Sequence, residues 1–224
     1  MRAYTGMSYM QTSEAKMRLL VFGDSNTYGF DGENCGRFPK QERFPGVLQA
    51  LIGDGAEVFE AGLPGRTADF EDPIAVGMRG TDVIERVMRH YAPLDVLAVM
   101  LGVNDIKERF NATAAMAAEG VGTLADIAES LPVWKGRPRI IVIAPPTVGE
   151  DYEKLGMALE LGRGCRERSL ELPAALESMA AERGYEFFDA SRLGMALSRA
   201  DGIHMTRGDH KKLAAALAEY LNNN

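Results

Sequence analysis

The chain of 224 residues contains little cysteine and no long hydrophobic run. Its two cysteines, Cys35 and Cys165, are too few to form the disulfide framework of a small secreted domain. We therefore interpret them as a reduced pair in a cytoplasmic protein. The longest apolar stretch, from Val96 to Leu101, is far too short to cross a membrane, so the sequence predicts no membrane partner.

The sequence also lacks an excess of basic residues. It carries 25 Lys and Arg residues against 32 Asp and Glu residues, and its formal net charge is -7. Binding to nucleic acid needs clustered Lys and Arg residues to neutralise phosphates, so the composition argues against a nucleic-acid partner. Residues 1–16 are polar and lack the apolar core of a secretory signal. We predict a disordered extension over residues 1–16 and a single domain over residues 17–224.

Apolar runs bounded by turn residues alternate with longer amphipathic segments along the chain. The predicted strands are Arg18–Phe22, Glu57–Glu60, Asp95–Leu101, Arg139–Ala144 and Tyr185–Phe188. The predicted helices are Pro45–Ile52, Thr81–His90, Ala112–Ser130, Arg166–Arg183 and Gly208–Leu221. Regular alternation of helices with almost continuously apolar strands indicates a parallel sheet that is covered on both faces.

A serine follows the first predicted strand at a tight turn, in Gly23-Asp24-Ser25. This placement puts Ser25 at the carboxyl edge of the sheet, where open α/β folds bind their ligands. Ser25 is therefore a candidate nucleophile, although a serine at such a turn can simply cap the next helix. Two long irregular segments, Phe30–Phe44 and Pro145–Gly164, are expected over the same edge and would form the walls of a pocket.

A general base for Ser25 must come from one of three histidines. His204 lies in Asp201-Gly202-Ile203-His204, where Asp201 can accept the Nδ1–H and stabilise the imidazolium formed when Nε2 takes a proton. His90 ends a predicted helix, whose terminal carbonyls favour a cation without any further function. We expect His210 to be exposed early in the last helix. His204 is therefore the candidate base.

Two further segments could stabilise a developing oxyanion. Asn104 follows the strand ending at Leu101, so its side-chain amide could donate to an oxyanion or cap a following helix. Gly62 follows another strand, and the absence of a Cβ would let its backbone N–H approach a substrate. Nearby side chains are expected to hold turns or brace loops; they are Asp24, Asp105, Arg66 and Thr67.

These segments resemble the four sequence blocks of the GDSL-type, or SGNH, hydrolase superfamily, and they occur in the same order. The chain is most similar to the small bacterial arylesterase and acyltransferase group of that superfamily. The blocks are Gly23-Asp24-Ser25, Gly62, Gly102-Val103-Asn104-Asp105 and Asp201-Gly202-Ile203-His204. Asn26 stands where the family name implies leucine, which is a variable position.

The resemblance implies a three-layer α/β/α, flavodoxin-like fold with a five-stranded parallel sheet. It implies a serine hydrolase with the triad Ser25, His204 and Asp201, without a metal or cofactor. The oxyanion hole would consist of the backbone N–H groups of Ser25 and Gly62 and the side chain of Asn104.

The expected substrate is a small aryl or short-chain acyl ester, hydrolysed through an acyl-enzyme that could also pass its acyl group to alcohols. A carbohydrate O-deacetylase, a thioesterase and a lysophospholipase of the same fold remain alternatives. The predicted pocket residues are Asp24, Phe30, Phe44, Pro145 and Ile203, with Phe38, Pro146 and Trp134 as further apolar candidates. The apolar residues of the second irregular segment could pack against another subunit, which suggests a homo-oligomer; they are Leu155, Met157, Leu159 and Leu161.

Two other classes of protein fit the sequence less well. A metal-dependent phosphoesterase would use closely spaced Asp and His ligands, but no Asp-x-His or Gly-Asn-His unit occurs. A flavodoxin-like ligand-binding module, which would have no enzymatic activity, would need a glycine-rich phosphate cradle. Asp24 instead places a carboxylate after the first strand, and the G-x-G-x-x-G and Walker A patterns are absent there. The sequence therefore favours ester hydrolysis.

Overall fold

A computed structural model describes residues 16–224 of the chain. Residues 1–15 carry all but the last residue of the predicted N-terminal extension, so that prediction lies outside the described residues.

Five parallel strands form a central sheet, and two short strands form a separate antiparallel hairpin. The strands of the sheet are β1 (Met17–Gly23), β4 (Ala56–Gly62), β5 (Val96–Met100), β6 (Ile140–Ala144) and β7 (Glu186–Asp189). The hairpin consists of β2 (Phe30–Asp31) and β3 (Gly36–Arg37). The order across the sheet is β4-β1-β5-β6-β7. The predicted α/β fold with a five-stranded parallel sheet is confirmed.

Helices connect the strands and cover the sheet. They are α1 (Ser25–Tyr28), α2 (Phe44–Ile52), α3 (Ile84–Tyr91), α4 (Ala114–Ser130), α5 (Ala158–Leu161), α6 (Cys165–Arg183) and α7 (Arg207–Asn223). Helix α3 begins later than the predicted Thr81, because residues 81–83 form a turn in which the Val83 N–H donates to the Gly80 carbonyl at 3.0 Å. The two segments predicted to be irregular contain β2, β3 and α5. These elements have four residues or fewer, which is too short for a periodic pattern of apolar residues to appear in the sequence.

The strands are apolar on both faces because helices pack on both faces. In β1, Leu20 and Phe22 belong to the core beneath α3, α4 and α6, whereas Leu19 and Val21 belong to the core beneath α2 and α7. All four side chains are fully buried. Burial of apolar surface on both sides explains the continuous hydrophobic run that marked this strand in the sequence.

The strand order places a binding crevice beside β1. The chain passes from β1 to β4 on one side and then to β5 on the other, so the connections diverge at the carboxyl ends of β1 and β5. Ligands of open α/β folds bind at such a point of divergence. Ser25 directly follows β1 and Asn104 follows β5, so the fold brings these two sequence candidates to the same crevice.

His210 is fully buried in the core between α2 and α7, and the prediction that it is exposed is wrong. Its ring contacts the rings of Phe38 and Phe44, with centroids 5.3 Å and 6.2 Å away. Its Nδ1 accepts a hydrogen bond of 3.2 Å from the Phe44 N–H. Burial lowers the pKa of His210 to about 4, so the ring is neutral at pH 7.

Replacing His210 should reduce the loss of stability in acid. The pKa of His210 is lowered from 6.5 to about 4 by folding, so the unfolded chain binds more protons between these values. Stability should therefore fall as the pH drops from 6.5 towards 4, by on the order of 3 kcal/mol for this group. Urea unfolding of wild type and His210→Asn across this range should show a shallower acid-side loss in the variant. If the free energy of unfolding falls equally with pH in both proteins, the lowered pKa of His210 is contradicted.

Candidate active site

Ser25 is the first residue of α1, and its hydroxyl is not used to cap that helix. Asp24 is the cap, because its Oδ1 accepts a hydrogen bond of 2.9 Å from the Asn26 N–H. The alternative reading of Ser25 as a helix cap is therefore wrong. The Ser25 side chain is left free to contact the loop that precedes α7.

Ser25, His204 and Asp201 form a continuous hydrogen-bonded relay. His204 Nε2 lies 2.9 Å from Ser25 Oγ, and His204 Nδ1 lies 2.8 Å from Asp201 Oδ2. The exposed fractions of the three residues are only 8% for Ser25, 5% for His204 and 4% for Asp201. We call this arrangement the Ser25–His204–Asp201 relay. It can move a proton from the serine hydroxyl to the imidazole.

Asp201 is held as a carboxylate by its surroundings. Its Oδ1 accepts hydrogen bonds from the backbone N–H groups of Ile203, at 2.9 Å, and His204, at 3.0 Å. Burial raises the pKa of Asp201, but the side-chain and backbone hydrogen bonds from His204 outweigh burial and bring the pKa below its usual value. An ionised Asp201 fixes the proton of neutral His204 on Nδ1 and leaves Nε2 to accept from Ser25.

Asn26 joins the serine turn to the histidine loop, a role that the sequence did not indicate. Its Oδ1 accepts a hydrogen bond of 2.9 Å from the Met205 N–H, and its Nδ2 donates to the Ile203 carbonyl at 3.4 Å. Both partners lie almost the whole chain away from Asn26. No local pattern could have revealed this contact, because it exists only once the sheet has assembled.

The β2–β3 hairpin packs directly on the relay. The Phe30 ring lies 4.5 Å from the His204 ring, centroid to centroid. Gly32 approaches Asp201 so closely that a Cβ at this position would overlap Asp201 Oδ2. Glu33 Oε1 accepts from the Ser198 hydroxyl at 3.0 Å, which ties the hairpin to the loop that carries Asp201. The hairpin therefore restrains the position of the relay.

Three residues with a hydrogen-bond donor line the same cavity, namely Ser25, Gly65 and Asn104. The backbone N–H groups of Ser25 and Gly65 donate no hydrogen bond to any group within residues 16–224. Asn104 Nδ2 is 3.4 Å from Asp24 Oδ2, and Asn104 lines the same cavity as Ser25 and Gly65. Gly65 has a φ of 82°, a left-handed conformation that favours glycine.

Gly62, the glycine predicted to contribute an N–H here, lies elsewhere. It is the last residue of β4 and pairs with Gly23, and a Cβ on it would overlap the backbone of Tyr28. The next residue, Leu63, donates its N–H to the Gly23 carbonyl at 3.1 Å. Since successive N–H groups of a strand point in opposite directions, the Gly62 N–H points away from β1. Gly65 lines the cavity that holds Ser25, whereas Gly62 does not.

Two buried carboxyl groups support the turns beneath the site. Burial raises the pKa of Asp24 to about 6 and that of Asp105 to about 7. Asp105 Oδ1 accepts from the Ala68 N–H at 2.7 Å, and Asp24 caps α1 as described above. Arg66 braces the Gly65 loop, because its Nη1 donates to the carbonyls of Gly23, at 2.7 Å, and Ala61. These contacts agree with the structural roles expected from the sequence.

A cavity of about 330 Å³ opens onto Ser25 and His204. Three of the predicted pocket residues lie on its wall, namely Asp24, Phe30 and Ile203. Met157, Glu160 and Leu161 also line the cavity and come from the predicted wall segment Pro145–Gly164. The remaining wall residues were not predicted for the pocket; they are Asn26, Pro64, Gly65, Ala75, Val103 and Lys107. Most come from loops whose contribution depends on how the chain folds back over the sheet.

Phe44 and Pro145 do not line this cavity, which corrects their placement in the pocket. Phe44 begins α2 and is fully buried in the core between the sheet and the helices α2 and α7. Pro145 is buried directly after β6. Trp134 also lies elsewhere, because it bridges to Leu94 near the amino end of β5, at the opposite edge of the sheet. An aromatic residue in a loop was an insufficient signal for the pocket.

Within residues 16–224, no group of three or more His, Cys, Asp or Glu side chains is arranged to hold a metal ion. Over the same residues, none of the helices has the length and apolar character needed to cross a membrane. Both cysteines are free thiols; Cys35 is exposed, and Cys165 is buried at the start of α6.

Comparisons with known proteins found a matching family and similar solved structures. The model of the GDSL-like Lipase/Acylhydrolase family matches residues 21–212. No curated protein gave a significant sequence match. Among solved structures, the aryl esterase of M. smegmatis is 29% identical, with a TM-score of 0.81, over 92% of this chain and 99% of that one.

Two other solved structures are similarly related. A carbohydrate acetylesterase family member from Sinorhizobium meliloti is 29% identical, with a TM-score of 0.84, over 92% of this chain and 98% of that one. A protein of Agrobacterium tumefaciens str. C58, proposed to be an arylesterase, is 32% identical, with a TM-score of 0.82, over 92% of this chain and 99% of that one.

Gly32→Ala should impair the relay while the chain still folds. The added Cβ would overlap Asp201 Oδ2 and displace the carboxylate from His204, and misplacing a catalytic group by about 1 Å can cost roughly 10²-fold in rate. Hydrolysis of p-nitrophenyl acetate measures the effect. Gly36→Ala in the same hairpin is the matched control, because its nearest heavy atom would be 3.9 Å away. Equal activity of both variants would contradict the claim that the hairpin restrains the Ser25–His204–Asp201 relay.

Proposed function

The chain belongs to the GDSL-like lipase/acylhydrolase family and is an ester hydrolase, and we propose that it hydrolyses small aryl or short-chain acyl esters through an acyl-enzyme on Ser25. The observation that carries this proposal is the Ser25–His204–Asp201 relay, whose two hydrogen bonds are 2.9 Å and 2.8 Å long. A serine, a base and a carboxylate that orients the base are the groups that nucleophilic acyl transfer requires.

In the proposed reaction, His204 Nε2 takes the Ser25 proton as Oγ attacks the ester carbonyl. Asp201 stabilises the imidazolium, and the tetrahedral intermediate collapses as His204 returns the proton to the leaving alcohol. A water molecule then attacks the acyl-enzyme with His204 acting again as base, and the carboxylic acid leaves. In each half of the reaction, His204 Nε2 first accepts a proton and then returns it, the second time to Ser25 Oγ.

The negative charge on the attacked carbonyl oxygen would be stabilised by three donors. We assign these to the backbone N–H groups of Ser25 and Gly65 and to Nδ2 of Asn104. Their support is that the two N–H groups have no other acceptor in the described part of the chain and that all three residues line one cavity. Donors already aimed at the developing charge need no reorganisation during the reaction.

The cavity supports a small substrate. Its volume of about 330 Å³ is at the lower end for ligand sites, and its walls near the relay include Phe30, Val103, Met157 and Ile203. Carbohydrate O-deacetylation is a second candidate, supported by the similarity to the Sinorhizobium meliloti protein. Comparing p-nitrophenyl acetate with acetylated xylose as substrates, by kcat/KM, distinguishes the two.

Ser25→Ala should abolish hydrolysis of p-nitrophenyl acetate. Loss of the nucleophile of a serine hydrolase costs on the order of 10⁶ in turnover, because no covalent intermediate can form. Circular dichroism would check that the variant is folded, and Ser178→Ala, on an exposed face of α6, is the control. Activity of Ser25→Ala close to that of the control would overturn the assignment of the nucleophile.

The proposal includes acyl transfer to alcohols. Deacylation is a competition between water and any alcohol that reaches the acyl-enzyme, and the apolar wall beside His204 favours an aromatic alcohol. With vinyl acetate and benzyl alcohol in buffer, benzyl acetate should appear early and then be consumed. Acetic acid as the single acyl product at every alcohol concentration would contradict this part of the proposal.

We also propose a homo-oligomer in the cytoplasm. Leu159 on α5 is 98% exposed, and Ile74 and Val76 in the loop beside the cavity are 71% and 79% exposed, which is unusual for apolar side chains this large. Of the other three residues expected to pack against another subunit, Leu155 and Met157 are half-buried and Leu161 is 2% exposed. An exposed free thiol at Cys35 suits a reducing compartment.

Light scattering should therefore give the mass of more than one chain. Leu159→Lys should reduce that mass, because a charge on this surface would be buried without a partner in the assembly. Leu51→Lys is the control, since Leu51 is 54% exposed on α2. A wild-type mass equal to one chain at micromolar concentration would contradict the oligomer.

A further inference from the structure

A cluster of four charged side chains lies at the wall of the cavity, away from the relay. Lys107 Nζ is 2.6 Å from Glu160 Oε1 and 3.5 Å from Asp72 Oδ2. Arg109 Nη2 is 2.9 Å from Asp72 Oδ2 and 2.5 Å from Glu160 Oε1. Lys107 and Glu160 both line the cavity that holds Ser25 and His204. We call these two residues the Lys107–Glu160 pair.

The position of Lys107 is unusual for a lysine. Its side chain is 1% exposed and that of Asp72 is 0% exposed, so the ammonium group has been removed from water. Lysine is almost never fully buried unless it is paired. The pairing compensates its charge, but an apolar residue would close the cavity wall without that desolvation cost. The cluster therefore places polar atoms at a wall that packing alone would leave apolar.

The Lys107–Glu160 pair retains one unused donor and one unused acceptor. An ammonium group has three N–H donors, and Lys107 uses two of them, on Asp72 and Glu160. Glu160 Oε1 accepts from Lys107 and Arg109, whereas Glu160 Oε2 accepts no hydrogen bond from any group within residues 16–224. A donor and an acceptor side by side match a hydroxyl group, which can accept from one and donate to the other.

The charge balance of the cluster favours a neutral ligand over an anion. Two cations, Lys107 and Arg109, face two carboxylates, Asp72 and Glu160. Burial raises the pKa values of Asp72 and Glu160, but hydrogen bonds from Arg109 and Lys107 outweigh it and hold both below their usual values. Both acids are thus ionised and the cluster is neutral. A carboxylate in the cavity would have to displace Glu160, whereas a hydroxyl group would not.

We propose that the Lys107–Glu160 pair is a specificity subsite that binds a hydroxyl group on the substrate, away from the scissile ester bond. This inference rests on the proposed ester hydrolysis and extends it: the preferred substrates are small esters of polyhydroxylated alcohols or of hydroxy acids. Hydrogen-bonding sites reject analogues that lack the matching group, because a buried polar atom of the site is then left unpaired. Here that atom is the third N–H donor of Lys107, whose side chain is 1% exposed, whereas the side chain of Glu160 is 38% exposed.

Two pairs of esters, in which a methyl group replaces the hydroxyl group, test the subsite and locate the hydroxyl group. On the alcohol side, 2-hydroxyethyl acetate is compared with propyl acetate; on the acyl side, methyl 3-hydroxypropanoate is compared with methyl butanoate. The quantity measured is the ratio of kcat/KM for the hydroxyl ester to that for its methyl analogue. In at least one pair, Lys107→Met should lower this ratio by about tenfold relative to wild type.

A second variant covers the case in which Lys107→Met does not fold. In Glu160→Met, Lys107 keeps Asp72 as its partner, and the same ratio should fall, whereas Glu160→Gln should restore part of it because an amide oxygen remains. Lys154→Met is the matched control: Lys154 forms a 2.6 Å ion pair with Asp151 in the same segment but does not line the cavity. It should leave the ratio within about twofold of wild type.

A purely structural role for the cluster predicts a different result. If the cluster merely holds α5 in place, the variants should lower kcat/KM equally for both members of each pair, and an unchanged ratio would overturn the subsite. This inference alone is refuted if the wild-type protein hydrolyses p-nitrophenyl acetate but no variant changes the ratio of kcat/KM values. Wild type that hydrolyses none of the esters refutes the proposed function, and the subsite with it.

Discussion

The hydrogen bond between Ser25 Oγ and His204 Nε2 joins the two ends of the described chain, and much of the surrounding structure serves to hold it. It links a turn after β1 to a loop before α7, 179 positions apart. Asp209, in the first turn of α7, holds the chain before the histidine loop, because its carboxylate accepts hydrogen bonds from the N–H groups of Ala196 and Leu197 at 3.0 Å and 3.1 Å. Asn26 fixes the histidine loop from the serine side. Hydrogen bonds to groups outside the Ser25–His204 contact thus hold the residues at both of its ends.

Burial of polar groups is the main energetic constraint at this edge of the sheet. A buried polar group costs about 1–3 kcal/mol when it is left without a partner. The relay avoids this cost because Asp201 accepts from two backbone N–H groups and the His204 ring. The raised pKa values of Asp24 and Asp105 show the same constraint acting on carboxyl groups with fewer partners. The unused N–H groups of Ser25 and Gly65 stand out against this background as donors available to a ligand.

Sequence reasoning found those features that have a local signature. Strands buried on both faces leave apolar runs, so all five strands of the sheet were predicted. Ser25 was identified from the turn after the first strand, and His204 was identified from Asp201 three residues before it. Features that depend on distant packing were missed. Gly62 was named because it lies just after a predicted strand, but the direction of its N–H group cannot be read from the sequence. Phe44 was assigned to the pocket because it ends an irregular segment, and its contact with His210, 166 positions away, leaves no local signal.

The Lys107–Glu160 pair could not be predicted from the sequence either. Lysine and glutamate are ordinary surface residues in a sequence, and only the fold of α5 over the sheet edge buries this lysine beside the cavity. The two polar regions of the cavity then have separate tasks in our account: the relay and its donors act on the ester bond, and the Lys107–Glu160 pair selects what the ester carries. A small cavity with both features favours substrates that are short but not wholly apolar.

The central claim is that Ser25 carries the acyl group during turnover. The most direct test is the intact mass of the protein after rapid acid quenching of a reaction with p-nitrophenyl acetate, followed by peptide mapping. We expect one acetyl group on each active chain, on the peptide that contains Ser25, and we expect it to disappear as substrate is exhausted. Steady hydrolysis with an acetyl group on another residue, or with no acetylated Ser25 at any quench time while Ser25→Ala remains active, would contradict it.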